Sequence, residues 1–316
     1  MLQGSVLGPL LFLIYINDLN SSIIFSTTRH YADDTNLLLT NKSLKKIKKQ
    51  LNIDLKILNS WLKANKISLN PSKTEMLIFR HPNKQINFDL KIKIDGKKIV
   101  PSRFTKYLGI YLDEHLNWNN HVKYLSPKLT RAISMLAKVR HYVPSRKCLR
   151  NIYFGIFASL LSYGSQIWGQ YVNSHVKRVI KLQHKAIRVI NFSDFDSSIK
   201  ELLQNNKILD FIDEIKLKNF LFVRDSIKCN IPLCLQNKFT YTHTLHGFNT
   251  RHTSRNSVIL PKSKTSVYGI HSITDQSARI WNFLQIKCQS ENLAETSRSL
   301  CKQKITTWLL QSYNHD

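Results

Sequence analysis

The sequence predicts an α+β fold, in which an antiparallel sheet with helices is followed by a longer, mostly α-helical region. Three observations support this prediction. Residues 22–40 form two apolar runs around a polar turn, residues 42–64 place leucine and isoleucine at steps of three and four, and a helical period persists from about residue 118. The 316 residues exceed the usual size of one domain, so we expect at least two cores.

The first predicted domain covers residues 1–116. It begins with a loop that contains glycine and proline, and Pro9 suits the first turn of the apolar helix predicted over residues 9–20. The hairpin of residues 22–40 and the amphipathic helix of residues 42–64 come next. Short apolar segments then predict strands near 67–69, 75–80, 89–100 and 107–113.

Two further domains are predicted from the helical period and its interruptions. Residues 117–228 are predicted to be helical with breaks near 144, 172–174 and 205–206, and residues 229–316 to be a loop-rich connector with helices near 273–285 and 293–312. Aromatic residues of the first helical region either stack on nucleotides or fill the core. Their spacing favours the core, most clearly for Trp168.

The strongest chemical signal is the tetrapeptide Tyr31-Ala32-Asp33-Asp34, which lies between two apolar runs. Two adjacent carboxylates at the tip of a hairpin supply hard oxygen ligands, and a Mg²⁺ ion that is shared with substrate phosphates needs only one or two protein carboxylates. Taken alone, the tetrapeptide also fits an ordinary polar turn.

Other short motifs accompany this pair in a fixed order. Upstream, residues 3–9 form a loop whose glycines let the backbone approach a base pair or sugar, and whose Gln3 and Ser5 can hydrogen-bond to it. Downstream, residues 70–74 form a lysine-bearing loop before an apolar strand, and residues 107–112 form a further short strand. Each motif alone is compatible with a loop and a core strand, but this explanation does not account for their fixed order.

This order resembles the reverse transcriptases of non-LTR retrotransposons, LINE-like elements of the jockey type. Residues 3–9 resemble motif B of that family, residues 31–34 motif C, residues 70–74 motif D, and residues 107–109 the primer-grip motif E. A weaker similarity extends over nearly the whole chain. The resemblance implies a partial palm in residues 1–116, a helical thumb and its continuation in residues 117–228, and Mg²⁺-dependent nucleotidyl transfer in the complete protein.

The resemblance also implies roles for individual residues. Asp33 and Asp34 would bind Mg²⁺ or Mn²⁺, and Lys73 would act on the leaving pyrophosphate, although a simple strand-edge charge fits Lys73 equally well. The expected nucleotide and template contacts are Gln3, Gly4, Ser5, Tyr31 and Ala32, and the expected primer grip is Tyr107, Leu108 and Gly109. The implied partners are an RNA template, a DNA primer or target, and dNTP substrates.

The charge of the chain points to a polyanionic partner. It carries 47 Lys and Arg against 20 Asp and Glu, for a net charge of +27. No acidic residue occurs between Glu114 and Asp194, a stretch that is rich in Lys and Arg. A solvated basic face is the alternative to nucleic-acid binding there. The candidate contacts are Lys123, Arg131, Lys138, Arg140, Arg146, Lys147 and Arg150.

The position of the first motif leads to a further expectation. In the family, motif A supplies another metal-binding aspartate before motif B, and this sequence starts within motif B. We therefore expect an N-terminally truncated fragment, without motif A and the fingers, that cannot extend a primer unaided. The alternatives are a catalytically inactive nucleic-acid-binding remnant of the element, and an unstable remnant whose palm sheet exposes an edge.

Cysteine spacing and hydropathy exclude several other classes. The five cysteines show no zinc-knuckle spacing, and their odd number argues against a disulfide framework, so a reducing compartment is expected. The apolar run of residues 10–16 is too short to span a bilayer and lacks a basic leader, so we expect no membrane partner. The resemblance implies a location in the nucleus or cytoplasm. The sequence leaves the oligomeric state open.

Overall fold

The structure is a computed structural model that describes residues 5–84, 92–94, 96–143, 145–171, 173–244, 256–265, 269–287 and 295–314. The chain divides into two compact units, Met1–Asn117 (unit 1) and Trp118–Asp316 (unit 2). Helices and small sheets occur together in unit 1, whereas helices dominate unit 2. The predicted α+β class is confirmed at this level of detail.

The helices described in unit 1 are α1 (Gly8–Ile16), α2 (Leu19–Ser22) and α3 (Leu44–Ala64). The leucines of α3 recur at helical spacing, so one stripe of the helix turns inward. Leu55, Leu58 and Leu62 are buried there, together with Ile92 and Ile99. The amphipathic pattern of residues 42–64 thus gives the helix that was predicted.

The strands of unit 1 are β1 (Thr27–Tyr31), β2 (Asp34–Leu38), β3 (Met76–Leu77), β4 (Ile92–Ile94), β5 (Lys97–Ile99), β6 (Pro101–Ser102), β7 (Phe104–Tyr107) and β8 (Ile110–Asp113). Within the described residues they form four two-stranded sheets, β1–β2, β3–β6, β4–β5 and β7–β8. The pair β3–β6 is parallel and the other three pairs are antiparallel. The antiparallel sheet expected for this region is therefore divided into separate pairs.

The strand predicted at residues 67–69 is not formed. Lys66 has a left-handed φ of 54°, and the Ile67 N–H donates to Leu62 O at 2.9 Å, so these residues close the end of α3 instead. The strand predicted at 75–80 shortens to β3. The segment predicted at 89–100 contains β4 and β5, while residues 85–91 and 95 lie outside the described part.

The helices of unit 2 are α4 (Asn119–Val139), α5 (Arg146–Tyr153), a π-helical turn (Phe154–Ala158), α6 (Ser159–Ser162), α7 (Ser165–Trp168), α8 (Ser174–Asn191), α9 (Ile199–Asn205), α10 (Phe211–Ile227), α11 (Ile273–Lys287) and α12 (Arg298–Gln311). Among the described residues, none of the helices is both long and apolar enough to cross a membrane.

Two apolar clusters stabilise unit 2. The first contains Trp168, which is buried as the spacing predicted, stacks on Phe211 at 5.1 Å between ring centroids, and donates from Nε1 to Tyr163 O at 3.0 Å. In the second, Phe220 stacks on Trp281 at 4.4 Å. Helix α10 contributes to both clusters, since Phe211 belongs to the first and Phe220 to the second. The boundary proposed at residue 228 stays a prediction.

Candidate active-site hairpin and basic helical surface

The two aspartates lie at the tip of the β1–β2 hairpin. Tyr31 pairs with Asp34 across the ladder, so Ala32 and Asp33 form a two-residue turn. Asp33 and Asp34 are both exposed to solvent. Ala32 has a φ of 50°, a left-handed value that costs a residue with a β-carbon about 1 kcal/mol. The turn therefore presents two carboxylates on a backbone that glycine would adopt more easily.

These two carboxylates can supply some, but not all, of the oxygen ligands of a hard divalent cation. Mg²⁺ retains several waters and takes only one or two protein carboxylates when substrate phosphates complete its shell. Asp33 and Asp34 can supply those oxygens, since both are exposed. Across the described ranges, no group of three or more His, Cys, Asp or Glu side chains is placed to hold a metal ion. The hairpin alone thus offers an open, two-carboxylate site.

A buried carboxylate that the sequence analysis overlooked anchors the segment ahead of β1. Asp54 of α3 is 0% exposed. Its Oδ1 accepts from the backbone N–H of Ile24 at 3.2 Å and of Phe25 at 3.1 Å. Its Oδ2 accepts from the Ser26 N–H at 2.7 Å and from the Ser26 hydroxyl at 2.6 Å. Four donors therefore satisfy a carboxylate that has left water, and they fix where the hairpin starts.

A signal for Asp54 was present in the sequence. Asp54 comes three residues after Leu51 and four before Leu58, so it lies on the apolar stripe of α3. A charged residue on such a stripe is buried only when it has partners. Those partners are backbone amides 28–30 residues away, which carry no side-chain pattern that would mark them.

The predicted primer-grip residues form the tip of a second hairpin, which corrects the prediction of one strand through residues 107–112. Tyr107 ends β7 and pairs with Ile110, which begins β8. Leu108 and Gly109 form the turn with φ of 43° and 81°, both left-handed as a tight type I′ turn requires. Gly109 suits this turn, while Leu108 is an unusual residue for it.

The β1–β2 and β7–β8 hairpins influence each other electrostatically. Burial raises the pKa of Tyr107, and the negative charge of Asp34 raises it further. The charge of Asp34, a predicted metal ligand, therefore affects the pKa of Tyr107, a predicted primer-grip residue. The structure brings these two motifs, which are more than seventy residues apart in sequence, into one electrostatic neighbourhood.

Four other predicted site residues lie elsewhere in unit 1. Lys73 is exposed in a loop organised by Asn70, whose Oδ1 accepts from the Ser72 N–H at 3.1 Å. Among the described residues, the Lys73 ammonium has no hydrogen bond or ion pair. The Ser5 hydroxyl accepts from the Gly8 N–H at 3.0 Å, so it supports the start of α1. Gln3 and Gly4 lie outside the described residues.

The predicted basic contacts of unit 2 separate into three groups. Lys123, Arg131 and Lys138 are exposed on α4, whose other face is buried in the first apolar cluster. Arg140 has a structural contact, since its Nη1 donates to Val189 O at 3.4 Å and its guanidinium lies 5.0 Å from the Phe192 ring. The last three, Arg146, Lys147 and Arg150, line one pocket together with Lys207, which the sequence analysis did not select.

Comparison with known families gives a match that contains this hairpin. Residues 1–126 match the family described as reverse transcriptase (RNA-dependent DNA polymerase). The matched range includes the β1–β2 hairpin, the loop of Lys73 and the turn of residues 107–110. Residues 1–126 of the chain are therefore similar in sequence to reverse transcriptases.

The similar proteins come from mobile elements, which confirms the predicted resemblance to non-LTR retrotransposon polymerases. The chain is 25% identical over 228 residues to the RNA-directed DNA polymerase from mobile element jockey of Drosophila melanogaster, an alignment that covers 68% of this chain and 24% of that protein. It is 29% identical over 197 residues to the probable RNA-directed DNA polymerase from transposon BS of the same species, with 60% and 22% covered. For the probable polymerase from transposon X-element, the identity is 27% over 224 residues, with 67% and 24% covered.

The alignments with these curated relatives take in about a quarter of the relatives' own length. No solved structure matches the chain significantly.

Proposed function

We propose that unit 1 is part of the palm of a retrotransposon RNA-directed DNA polymerase, and that its β1–β2 hairpin takes part in nucleotidyl transfer to a DNA primer on an RNA template. The observation that carries this proposal is the pair of exposed carboxylates of Asp33 and Asp34 at a hairpin tip inside the matched range.

Each predicted residue has a place in this proposal. Bound Mg²⁺ or Mn²⁺ would supply Lewis-acid activation of the primer hydroxyl and of the α-phosphate of a dNTP. Asp33 and Asp34 provide oxygen ligands, and the turn residue Ala32 lies beside them with Tyr31. The exposed ammonium of Lys73 is suited to neutralise a leaving pyrophosphate.

The remaining assignments concern the contacts with nucleic acid and nucleotide. We assign the turn of Leu108 and Gly109, with Tyr107, to the primer backbone, because a tight turn lets the chain approach a sugar-phosphate closely. Ser5 retains its assignment to the nucleotide and template pocket, with Gln3 and Gly4 beside it in sequence. We assign the exposed cations of α4 to contacts with the template and primer, and the helices of this region to the thumb of the enzyme. We place the protein in the nucleus or cytoplasm.

A second candidate function is nucleic-acid binding without polymerisation by the 316-residue chain. The observation that favours it is the open site: the described residues bring no third acidic side chain to Asp33 and Asp34, whereas two-metal phosphoryl transfer needs carboxylates from more than one strand. The net charge of +27 supports binding to a polyanion in either case.

Metal binding at the hairpin tests the first proposal. We expect Mn²⁺, followed by electron paramagnetic resonance, to bind weakly to the purified chain and to lose affinity about fivefold or more in Asp33→Asn and Asp34→Asn. Asp18→Asn is the matched control, because Asp18 is also exposed in unit 1. Equal Mn²⁺ affinity in all three variants would exclude the hairpin as the metal site. Templated primer extension by the unsupplemented chain, abolished by Asp33→Asn, would exclude the second candidate function.

A further inference from the structure

Unit 2 contains a surface pocket of about 330 Å³ whose lining is basic and amidic throughout. It lies where α5, the C-terminal end of α8 and the turn after α9 meet. Its lining residues are Arg146, Lys147, Arg150, Asn191, Asn205, Asn206 and Lys207. No carboxylate and no aromatic ring occurs among these residues, so the pocket offers donors without an acidic counter-ion.

Hydrogen bonds between backbone and side chains fix the walls of the pocket. Arg150 Nε donates to Asn206 O at 2.6 Å, which ties α5 to the turn after α9. Asn206 Nδ2 donates to Asn191 Oδ1 at 2.8 Å, which ties that turn to α8. Asn191 Nδ2 in turn donates to Ile187 O at 2.7 Å. The three elements are therefore joined without a ligand, which lowers the ordering cost of binding.

Three of the cations in this pocket are unpaired. Arg146, Lys147 and Lys207 are exposed, and within the part of the chain that the structure describes their side chains have no hydrogen bond or ion pair. Cations that share a pocket repel one another, and a bound anion removes this repulsion. Their arrangement is typical of an anion site.

We propose that this pocket binds a phosphodiester group of a nucleic-acid backbone. Arginine and lysine are the usual partners of phosphate oxygens, and side-chain amides add further donors. The volume is near the lower end of the range of about 300–1,000 Å³ for small-ligand sites, which suits a phosphate with its sugar. No aromatic ring lines the pocket, so bases do not stack there, and its cations favour a contact with the sugar-phosphate backbone. The choice of RNA as probe rests on the proposed function.

RNA affinity of the full chain tests this inference. The probe is a fluorescent 20-nucleotide single-stranded RNA of mixed sequence, followed by anisotropy over a series of salt concentrations. We expect Lys147→Gln with Lys207→Gln to weaken binding about tenfold and to reduce the slope of log K against log salt by about 1.4, since each single-strand phosphate contact contributes roughly 0.7. The matched control is Lys177→Gln with Arg178→Gln, two exposed cations of α8 that do not line the pocket. This pair is expected to change affinity less than about threefold.

Three outcomes would overturn the inference. The first is an equal loss of affinity in the pocket pair and the control pair, which indicates diffuse charge attraction. The second is a loss of inorganic pyrophosphate binding in the pocket pair with unchanged RNA affinity, which indicates a site for free anions. The third is no RNA binding by the unsubstituted chain. The variants alter exposed side chains, so an unchanged melting temperature is expected for both pairs. The Mn²⁺ binding experiment on Asp33 and Asp34 does not depend on the RNA affinity of the pocket. The proposed function and the proposed phosphodiester site can therefore fail separately.

Discussion

In unit 1 the candidate site residues lie at exposed hairpin tips, whereas unit 2 contains two apolar clusters and exposed basic side chains. In unit 1, helix α1 leaves Leu10, Leu13 and Ile14 about half exposed or more, at 56%, 51% and 65%. In unit 2, helix α8 buries Val176 and Ile187 completely. The comparison shows that most of the residues matched to the family lie in the unit whose helix α1 exposes apolar side chains, whereas α8 of unit 2 buries its own.

The largest expected effect is on the first apolar cluster of unit 2. Trp168→Ala removes a fully buried ring and its hydrogen bond to Tyr163 O, so the free energy of unfolding of unit 2 should fall by about 4 kcal/mol. Chemical denaturation of the full chain, read by far-ultraviolet circular dichroism, measures this change. The control is Tyr171→Ala, an exposed aromatic residue, with an expected loss under about 1 kcal/mol. Similar losses for both variants would contradict the assignment of Trp168 to the core of unit 2.

The next effect concerns the anchor of the β1–β2 hairpin. Asp54→Ala leaves the N–H groups of Ile24, Phe25 and Ser26 without their acceptor, so unit 1 should lose about 3 kcal/mol. Hydrogen exchange followed by mass spectrometry should show faster exchange in residues 24–38, with protection in unit 2 unchanged. Asp18→Ala serves as the control, since Asp18 is exposed. Retained protection of residues 24–38 would show that the hairpin does not depend on Asp54.

A smaller effect is expected at the strained turn. Ala32→Gly relieves the strain of a left-handed φ of 50°. The stabilisation from this relief slightly exceeds the entropic cost of glycine, so unit 1 should be stabilised by up to about 0.5 kcal/mol. Ala32→Val, with a β-branched side chain at the same φ, should destabilise it by about 1–2 kcal/mol. The control is Ala137→Gly within α4, where glycine should cost about 1 kcal/mol. Thermal denaturation compares the three, and a destabilising Ala32→Gly would show that the turn is not strained.

The smallest effect is a change in the titration of Tyr107. Its pKa is raised by burial first and by the charge of Asp34 second, so Asp34→Asn should lower that pKa, and so should Mg²⁺ bound at Asp34. A raised pKa means that the folded chain holds the phenol proton more tightly than the unfolded chain. This contribution to stability is present below a pH of about 10 and is lost as the pH rises through the pKa of the folded state.

Carbon-13 NMR of labelled tyrosine, with Tyr107→Phe for assignment, measures this shift. Asp18→Asn should leave the Tyr107 resonance unchanged, because Asp18 does not act on it. An unshifted pKa of Tyr107 in Asp34→Asn would separate the two hairpins electrostatically and remove the evidence that they share one site.

Local patterns predicted the parts of the fold that depend on neighbours in sequence. The hairpin around Asp33 and the helix of residues 42–64 follow from two apolar runs and from a stripe of leucines, so both were found. The turn at Leu108 was missed because leucine rarely adopts a left-handed φ, so the apolar run looked like one strand.

Features that need distant partners were not accessible in this way. Asp54 bonds to backbone amides across 28–30 residues, and the basic pocket joins Arg150 to Asn206 across 56 residues. The sequence showed the break at Asn206 and the charge of Arg150 separately. Only the folded chain puts Lys207 next to them, because the contact depends on how α5, α8 and α9 meet.

The anchoring of three successive amides by Asp54 separates the support of the hairpin from the motifs by which the hairpin is recognised. A single change at this position in a copy of the sequence is expected to remove the support of the hairpin, and it leaves every motif, from residues 3–9 to residues 107–109, intact. A sequence search for those motifs would still find all of them in that copy. We therefore expect that loss of the carboxylate at position 54 destabilises the hairpin without altering any of the motifs.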